Sequence, residues 1–467
     1  MAIAIALILV TLFSVLFYFL SPWHLTPLAS NWGAIDMTIL ISFWVTGIVF
    51  VVVVGFMAWS IIRYRYDSSR RSGYEPENKK LEFWLTAVST VGIAALLAPG
   101  LVVWADYVGV PDETQKVEVV GSQWHWMFRY PGEDGEFGRV DTQFMDGDNP
   151  LGLDPDDPDG QDNIIVDRPV VYLPVDENIE VRLRSRDVIH NFKVPNFRAK
   201  MDALPGQMSY FWFTPTETGD FQAVCAQHCG LAHFAMRARV KVVERDEFEE
   251  WLDEQPTFAE TQEHQGDPEV GESLYQPCIA CHGQEGEGNP DQNAPRLAGL
   301  GDWYLERQLK HFKEGFRGED PDDTYGRQMA PFADMLDKQE MRDVAAYIET
   351  LPVEHAEPTI DIIEGDAERG ERLYRTCATC HGSEGEGRPA VNAPRLAGID
   401  DWYLVTQLEN FMEGIRGRHP EDMYGSQMID MVQHLSDRRG ILDVVAHINT
   451  LSGEREGTGE SNEAEEE

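Results

Sequence analysis

Residues 225 to 236 read Cys225-Ala-Gln227-His228-Cys229-Gly-Leu-Ala-His233-Phe-Ala-Met236, and His190 precedes them in the segment Asp187-Val-Ile-His-Asn-Phe-Lys-Val-Pro195. Two thiolates, two imidazoles and a thioether make a soft donor set that suits a copper-type centre, and so tight a spacing lets one loop carry most of the ligands. A zinc site or a buried cysteine pair would need neither the methionine at its place after His233 nor the upstream histidine segment.

Further along, Cys278-Ile-Ala-Cys281-His282 recurs 99 residues later as Cys377-Ala-Thr-Cys380-His381. Cys-x-x-Cys-His is the attachment signature of c-type haem, the thiols bonding the vinyl groups and the histidine serving as proximal ligand. The surroundings repeat at the same offset: Ala294 to Gly299 matches Ala393 to Gly398, and Asp302 to Leu305 matches Asp401 to Leu404. A redox Cys-x-x-Cys pair would require neither the histidine in both copies nor the Gly-x-Glu-Gly-Glu-Gly that follows each. Comparing the copies also selects the sixth ligand. Of Met329, Met335, Met341, Met423, Met428 and Met431, only Met329 and Met428 correspond at the shared offset, so these are the expected axial ligands and the other methionines are expected in the core. His-Met ligation raises a haem's potential, as a carrier feeding copper requires.

On these residues the chain resembles subunit II of the haem-copper oxidases, extended by two repeats similar to class I cytochromes c and, as a pair, to tandem di-haem cytochromes c. The resemblance implies a dinuclear copper centre (CuA) held by His190, Cys225, Cys229, His233, Met236 and the backbone carbonyl of Gln227, with His228 structural. Two coppers bridged by thiolates share one electron, so little geometry changes on reduction. The resemblance also implies that Trp124, in Gln123-Trp-His-Trp126, lies over the copper site as an electron entrance while Trp126 is core. It likewise makes Glu82 the acid at the inner mouth of a proton path. Many family members have Glu where this chain has Gln227, and losing that charge puts a nearby interface Mg²⁺ or Mn²⁺ in doubt.

The elements that must position these groups are legible in outline. Apolar stretches run from about Ala2 to Leu20, Met37 to Ile62 and Glu82 to Ala105, and the latter two are each long enough to cross a hydrocarbon core of about 30 Å. The loop between them carries Arg63, Arg65, Arg70, Arg71, Lys79 and Lys80, so the positive-inside rule makes it cytoplasmic and puts everything after Ala105 outside. The first stretch lacks a basic leader, a cleavage site and a lipobox cysteine and reads as a retained span, leaving the membrane at Ser21-Pro-Trp-His24. From Lys116 to about Glu244, alternating and β-branched runs such as Val117–Val120, Ile164–Val166, Ile179–Leu183 and Met236–Val243 predict a sandwich or barrel, which the resemblance makes a cupredoxin-type Greek-key barrel. The acidic stretch between Asp146 and Asn163 lacks the ligand spacing of a calcium loop and reads as a solvated insertion. A short helix, Asp246 to Leu252, closes this domain. Glu254 to Gly266 and Pro352 to Glu364 read as linkers.

The expectation is therefore a multidomain chain: N-terminal transmembrane helices (1–110, spans 2–20, 37–62 and 82–105), an all-β cupredoxin-like Greek-key barrel (111–253), two all-α cytochrome c domains (267–352 and 365–452) and an acidic disordered tail (453–467). All 6 cysteines fall in the motifs, leaving none for a structural disulfide. With Asp+Glu 80 against Lys+Arg 38, a net charge of −42 excludes nucleic-acid binding and suggests exposure to high external salt.

The function this implies is electron transfer within a proton-translocating terminal cytochrome c oxidase: from two covalently bound haems c through CuA to haem in subunit I, which reduces oxygen to water. Implied partners are subunit I, other oxidase subunits, membrane lipid and an upstream donor, either a bc complex or a soluble carrier. The site would lie on the periplasmic face of a multi-pass inner-membrane protein. The same relay serving a CuA-type nitric oxide reductase is the alternative. Chain order makes the first-repeat haem the expected neighbour of copper.

Overall fold

The structure is a computed structural model that describes residues 1–467 except 22–25, 72, 75, 146–148, 167, 231, 264–265, 354–364 and 452–467. The expected membrane exit at Trp23 and His24, nearly all of the second linker and the acidic tail lie outside the described residues.

Three apolar helices come first: α1 (Ala2–Leu20), α2 (Gly33–Arg63) and α3 (Lys79–Val108). Among the described residues these are the helices long and apolar enough to cross a membrane, and they anchor the chain there. The last two outrun the expected spans at both ends. Helix propagation needs only backbone hydrogen bonds, so it continues through the polar residues that flank an apolar core.

Ten strands follow: β1 (Gln115–Ser122), β2 (His125–Tyr130), β3 (Ile164–Val166), β4 (Val170–Pro174), β5 (Ile179–Ser185), β6 (His190–Val194), β7 (Ala199–Ala203), β8 (Ser209–Phe213), β9 (Gly219–Cys225) and β10 (Arg237–Val243). Among the described residues they form two five-stranded sheets, ordered β3-β2-β1-β5-β8 and β4-β10-β9-β6-β7. The pairs β1/β5 and β10/β4 are parallel and the others antiparallel. In β5 the buried residues alternate strictly, so Ile179, Val181 and Leu183 enter the core while Glu180, Arg182 and Arg184 point away. Between the sheets lies the core, rich in aromatics such as Trp126, Phe128, Phe192, Phe197 and Phe211.

This barrel is pinned to the membrane helices. Arg198 grips the Asp36 carboxylate at the start of α2 through two bonds of 2.6 and 2.8 Å. Trp32 Nε1 donates to the Trp212 carbonyl, and Trp212 Nε1 donates to that of Asp106 near the end of α3, both at 2.9 Å.

Two expected loops turn out to be structural. The acidic insertion sends Leu151 and Leu153 fully into a small apolar cluster with Val120 and Met127, and Asn149 ties Leu153 through two 2.8 Å bonds. The leucines are worth more buried than solvated, so the insertion packs as a flap despite its acids. The first linker follows α4 (Arg245–Asp253) and forms α5 (Phe258–Glu263), whose Phe258 enters the same cluster.

The two repeats are helical. The first holds α6 (Pro268–Tyr275), α7 (Ile279–His282), α8 (Asp302–Lys313), α9 (Gly326–Asp334) and α10 (Lys338–Glu349); the second holds α11 (Ala367–His381), α12 (Asp401–Glu413), α13 (Met423–Val432) and α14 (Arg438–Ile448). They meet through a reciprocal network. Arg317 donates to Gln308, Tyr403 and Gln407, while Arg416, its counterpart, donates to Gln407, Tyr304 and Gln308.

Candidate copper and haem sites

The copper-type ligand set is assembled by strand pairing. His190 starts β6 and Cys225 ends β9, and the register Phe192↔Cys225 brings these termini to the same end of the barrel. The loop after Cys225 then folds back so that Met236 can lead into β10, its carbonyl accepting from the Cys225 amide at 3.0 Å. A ring nitrogen of His190 and both thiols lie within 4.8 Å of one another, all three residues buried. Cys225 and Cys229 sulfurs are 3.8 Å apart, Met236 Sδ lies 3.8 Å from Cys229 Sγ, and His233 Nδ1 lies 3.5 Å from it. The Gln227 carbonyl stands 3.2 Å from Cys225 Sγ while its side chain faces solvent. All six sequence-selected groups therefore converge.

The residues fit a soft metal centre on their own chemistry. His190 Nε2 is held by Asp187 at 2.8 Å, whereas Nδ1 is buried with no hydrogen-bond partner, so it is the nitrogen left for a metal. The Cys229 thiol beside it holds the Cys225 thiol below its ordinary value, while the Cys225 sulfur and burial push Cys229 up. Burial acts to raise the Asp187 carboxyl, but hydrogen bonds from His190, Gln123 and Val188 hold it at about 2. Gly121 makes room for the ring: a Cβ there would stand 2.9 Å from His190 and 3.1 Å from Trp126.

Both haem motifs sit alike. A carbonyl can only accept, so His282 Nδ1 donates to Pro295 at 2.8 Å and His381 Nδ1 to Pro394 at 2.7 Å, which leaves each Nε2 available to a ligand. Burial holds both imidazoles below their ordinary value and pushes the Cys278 and Cys377 thiols up to about 11. In the second repeat Cys377, Cys380, His381 and Met428 line a mostly apolar cavity of about 190 Å³, a cradle suited to a haem edge. In the first, Cys278 and Met329 pack against the helical core.

Residues 115–243 match the family profile of the cytochrome c oxidase subunit II periplasmic domain, and residues 269–352 and 367–452 each match that of cytochrome c. The alternative cytochrome c oxidase subunit 2 of Bradyrhizobium diazoefficiens is 49% identical over 259 residues, which span 56% of this chain and 94% of that one. The chain belongs to the cytochrome c oxidase subunit 2 family. Cytochrome c4 of Stutzerimonas stutzeri is 34% identical over 172 residues, covering 34% of this chain and 78% of its own. A crystal structure of the periplasmic domain of subunit II of cytochrome oxidase from Bradyrhizobium japonicum is 30% identical, with a TM-score of 0.23, and covers 31% of this chain and 95% of that one. Membership implies copper in the barrel and haem c in the repeats.

Set against its expected place in an oxidase subunit 2, each remaining residue can be located. Trp124 is buried over the loop, its Nε1 donating to the Cys229 carbonyl at 3.3 Å, and Trp126 is core, meeting His190 edge-on at 5.8 Å. Glu82 lies exposed in the first turn of α3. His228 is exposed against His233 and so packs no core. Met341 is buried as expected, but Met335 is 65% exposed because it stands just past α9, on the stripe that faces solvent. Met428 and Met431 both line the second cavity.

The largest correction concerns which repeat lies beside the copper loop. Trp124 and Ala232 share the cavity of Cys377 and Cys380, Cys380 and Met431 pack against the barrel core, and α13 rests on the turn His233–Ala235. The second repeat is therefore the neighbour, since a linker of this length lets the chain fold back and chain order imposes no spatial order.

Four contributors were missed by reading the sequence. Asp187 had a signal, an acid three residues before the ligand His190. Pro295 and Pro394 recur in the repeated Ala-Pro-Arg-Leu-Ala-Gly segment, which could have marked them as ring anchors. Gln427, whose Nε2 donates to the Trp124 carbonyl at 2.6 Å, had none, because Gln328 occupies the same place in the other repeat.

Proposed function

We propose that this chain is the electron-transfer subunit II of a proton-translocating terminal cytochrome c oxidase in the inner membrane. Electrons pass from its own two haems c to CuA and on to haem in subunit I, where oxygen is reduced to water. Cys278, Cys281, His282 and Met329 hold one haem, and Cys377, Cys380, His381 and Met428 hold the other. His190, Cys225, the Gln227 carbonyl, Cys229, His233 and Met236 hold two coppers. When bound, these groups supply reversible one-electron exchange. The protein holds them rigid: Asp187 fixes the His190 ring, Pro295 and Pro394 fix the haem histidines, and the buried surroundings exclude water. Copper and haem domains stand on the periplasmic side, Glu82 at the opposite mouth of α3 serves the proton path, and Trp124 carries electrons into the copper site.

The observation that carries this reading is the shared boundary of the second haem cavity and the copper loop, at Trp124 and Ala232. It supports the order first-repeat haem, second-repeat haem, copper. The test is Cys225→Ser in the assembled complex. Both haems c should remain covalently bound and reducible, while their reoxidation by oxygen slows by orders of magnitude in rapid-mixing spectroscopy. Reoxidation at the unmodified rate would mean that copper is bypassed.

A further inference from the structure

The helices α9 and α13 place equivalent residues on one stripe, at the three- and four-residue spacings that share a helix face. In the second repeat this stripe is seated on the barrel. Gln427 bonds the Trp124 carbonyl, the Tyr424 ring meets His125 edge-on at 5.8 Å, and Met431 packs against the barrel core. The equivalent residues of the first repeat are Tyr325, Gln328 and Phe332. There Tyr325 is 45% exposed, Phe332 40% and the adjoining Met335 65%, and Gln328 is also open to solvent. A contiguous apolar stripe on the surface marks an interaction site, whereas single exposed side chains do not.

We infer that the open stripe on α9 is the docking face for the external electron donor, a small redox protein whose prosthetic group lies behind an apolar patch rimmed by Lys and Arg. The inference rests on the proposed relay. Its warrant is internal: the duplicate of this stripe is the surface by which the second repeat meets the copper barrel. A basic rim on the donor follows from charge, because exposed Glu319, Asp322, Asp334 and Asp337 outnumber the exposed cations near the stripe, Arg327, Lys338 and Lys313, whose ammonium is held by the Asp334 and Leu336 carbonyls. A second copy of a chain of net charge −42 would be repelled.

The probe is a lysine-rimmed mono-haem cytochrome c with zinc in place of iron, used with the intact complex under anaerobic conditions. Its photoexcited porphyrin gives up one electron, one haem c iron takes it, and the rate is read by transient absorption. Phe332→Asp combined with Met335→Glu should lower the second-order rate constant roughly tenfold or more and weaken calorimetric binding of the probe in parallel. Reduction by ascorbate with a phenylenediamine mediator should be unchanged, which also certifies the fold. Asp322→Lys with Asp334→Lys keeps the apolar contact and should slow the probe at low salt and much less at high salt. Unchanged probe rates in both variants would overturn the docking face. So would a concentration-dependent dimer of the unmodified complex that the apolar variant abolishes, which would assign the stripe to a second copy. Absence of haem c absorbance before any donor is added would instead remove the relay itself, and this inference with it.

Discussion

The two cytochrome repeats follow one template at an offset of 99 residues, yet they differ in backbone and in surroundings. In the first, Pro277 stands between α6 and α7, where its missing N–H and its ring interrupt the helix; in the second, Thr376 occupies that place and α11 runs unbroken from Ala367 to His381. The surroundings differ more. The stripe of α13 is covered by the copper barrel, whereas that of α9 is open. A duplicated module thus acquires direction from what it packs against, one copy facing the copper site and the other facing solvent.

The sharpest test of that asymmetry removes the haems one at a time. Cys278→Ala with Cys281→Ala, or Cys377→Ala with Cys380→Ala, should each abolish one of two covalent haems, counted by spectrum. Mediator-driven reduction of copper should stay near the unmodified rate in the first case and slow by orders of magnitude in the second. Equal effects would break the comparison.

The barrel that carries the copper loop should be the next most sensitive part. Glu118 is buried between Arg129 at 2.7 Å and Arg184 at 2.9 Å. Burial acts to raise its carboxyl, but the two arginines outweigh this and hold it below its ordinary value of 4.5. Glu118→Gln leaves two buried cations without their counter-charge, a loss of roughly 3–5 kcal/mol from the barrel in calorimetry. Because the folded value is depressed, the carboxylate's contribution is present above about 4.5 and lost as the pH falls through the folded value. Acidification should therefore lower the barrel's transition temperature less in the variant than in the unmodified protein.

The backbone difference can be exchanged. Thr376→Pro should destabilise the second repeat by about 3 kcal/mol, since it removes a hydrogen bond inside α11 and clashes with the preceding turn. Pro277→Thr should leave the first repeat folded with little change in thermal unfolding. If that replacement unfolded the first repeat, the helix break would have to be a requirement of its fold.

The smallest effect concerns a single hydrogen bond. Gln427→Ala should weaken the seating of α13 by about 1 kcal/mol and slow electron transfer from the second repeat a few-fold, whereas Gln328→Ala should do nothing to either. Equal slowing by both, in flash-induced kinetics, would show that the glutamines act within their repeats and not at the barrel.

Much of the molecule is legible in local sequence because its chemistry is local. The copper-type loop fits five of the six proposed ligating groups into twelve residues, and the haem motifs carry the proposed attachment and proximal ligand within five. Apolar length alone marks the membrane helices, and β-branched alternation marks the barrel strands. The acidic flap was misread because composition counts its many carboxylates, while its placement is decided by two leucines that find Phe258 about a hundred residues later. The exposure of Met335 was misread for the opposite reason: a methionine in a helical repeat suits a core, and only the packing shows which side of α9 is left open.

What the sequence by itself determined is therefore the inventory: ligand types, the haem repeats, the membrane anchor and the all-β character of the middle. Only the tertiary structure decided that Asp187 leaves His190 Nδ1 free, and that Gly121 admits the ring. It alone decided that the second repeat lies against the copper loop while its equivalent faces solvent. The physical reason is that ligand chemistry depends on residue type at short spacing, whereas adjacency depends on long-range packing, which the order of the chain does not encode.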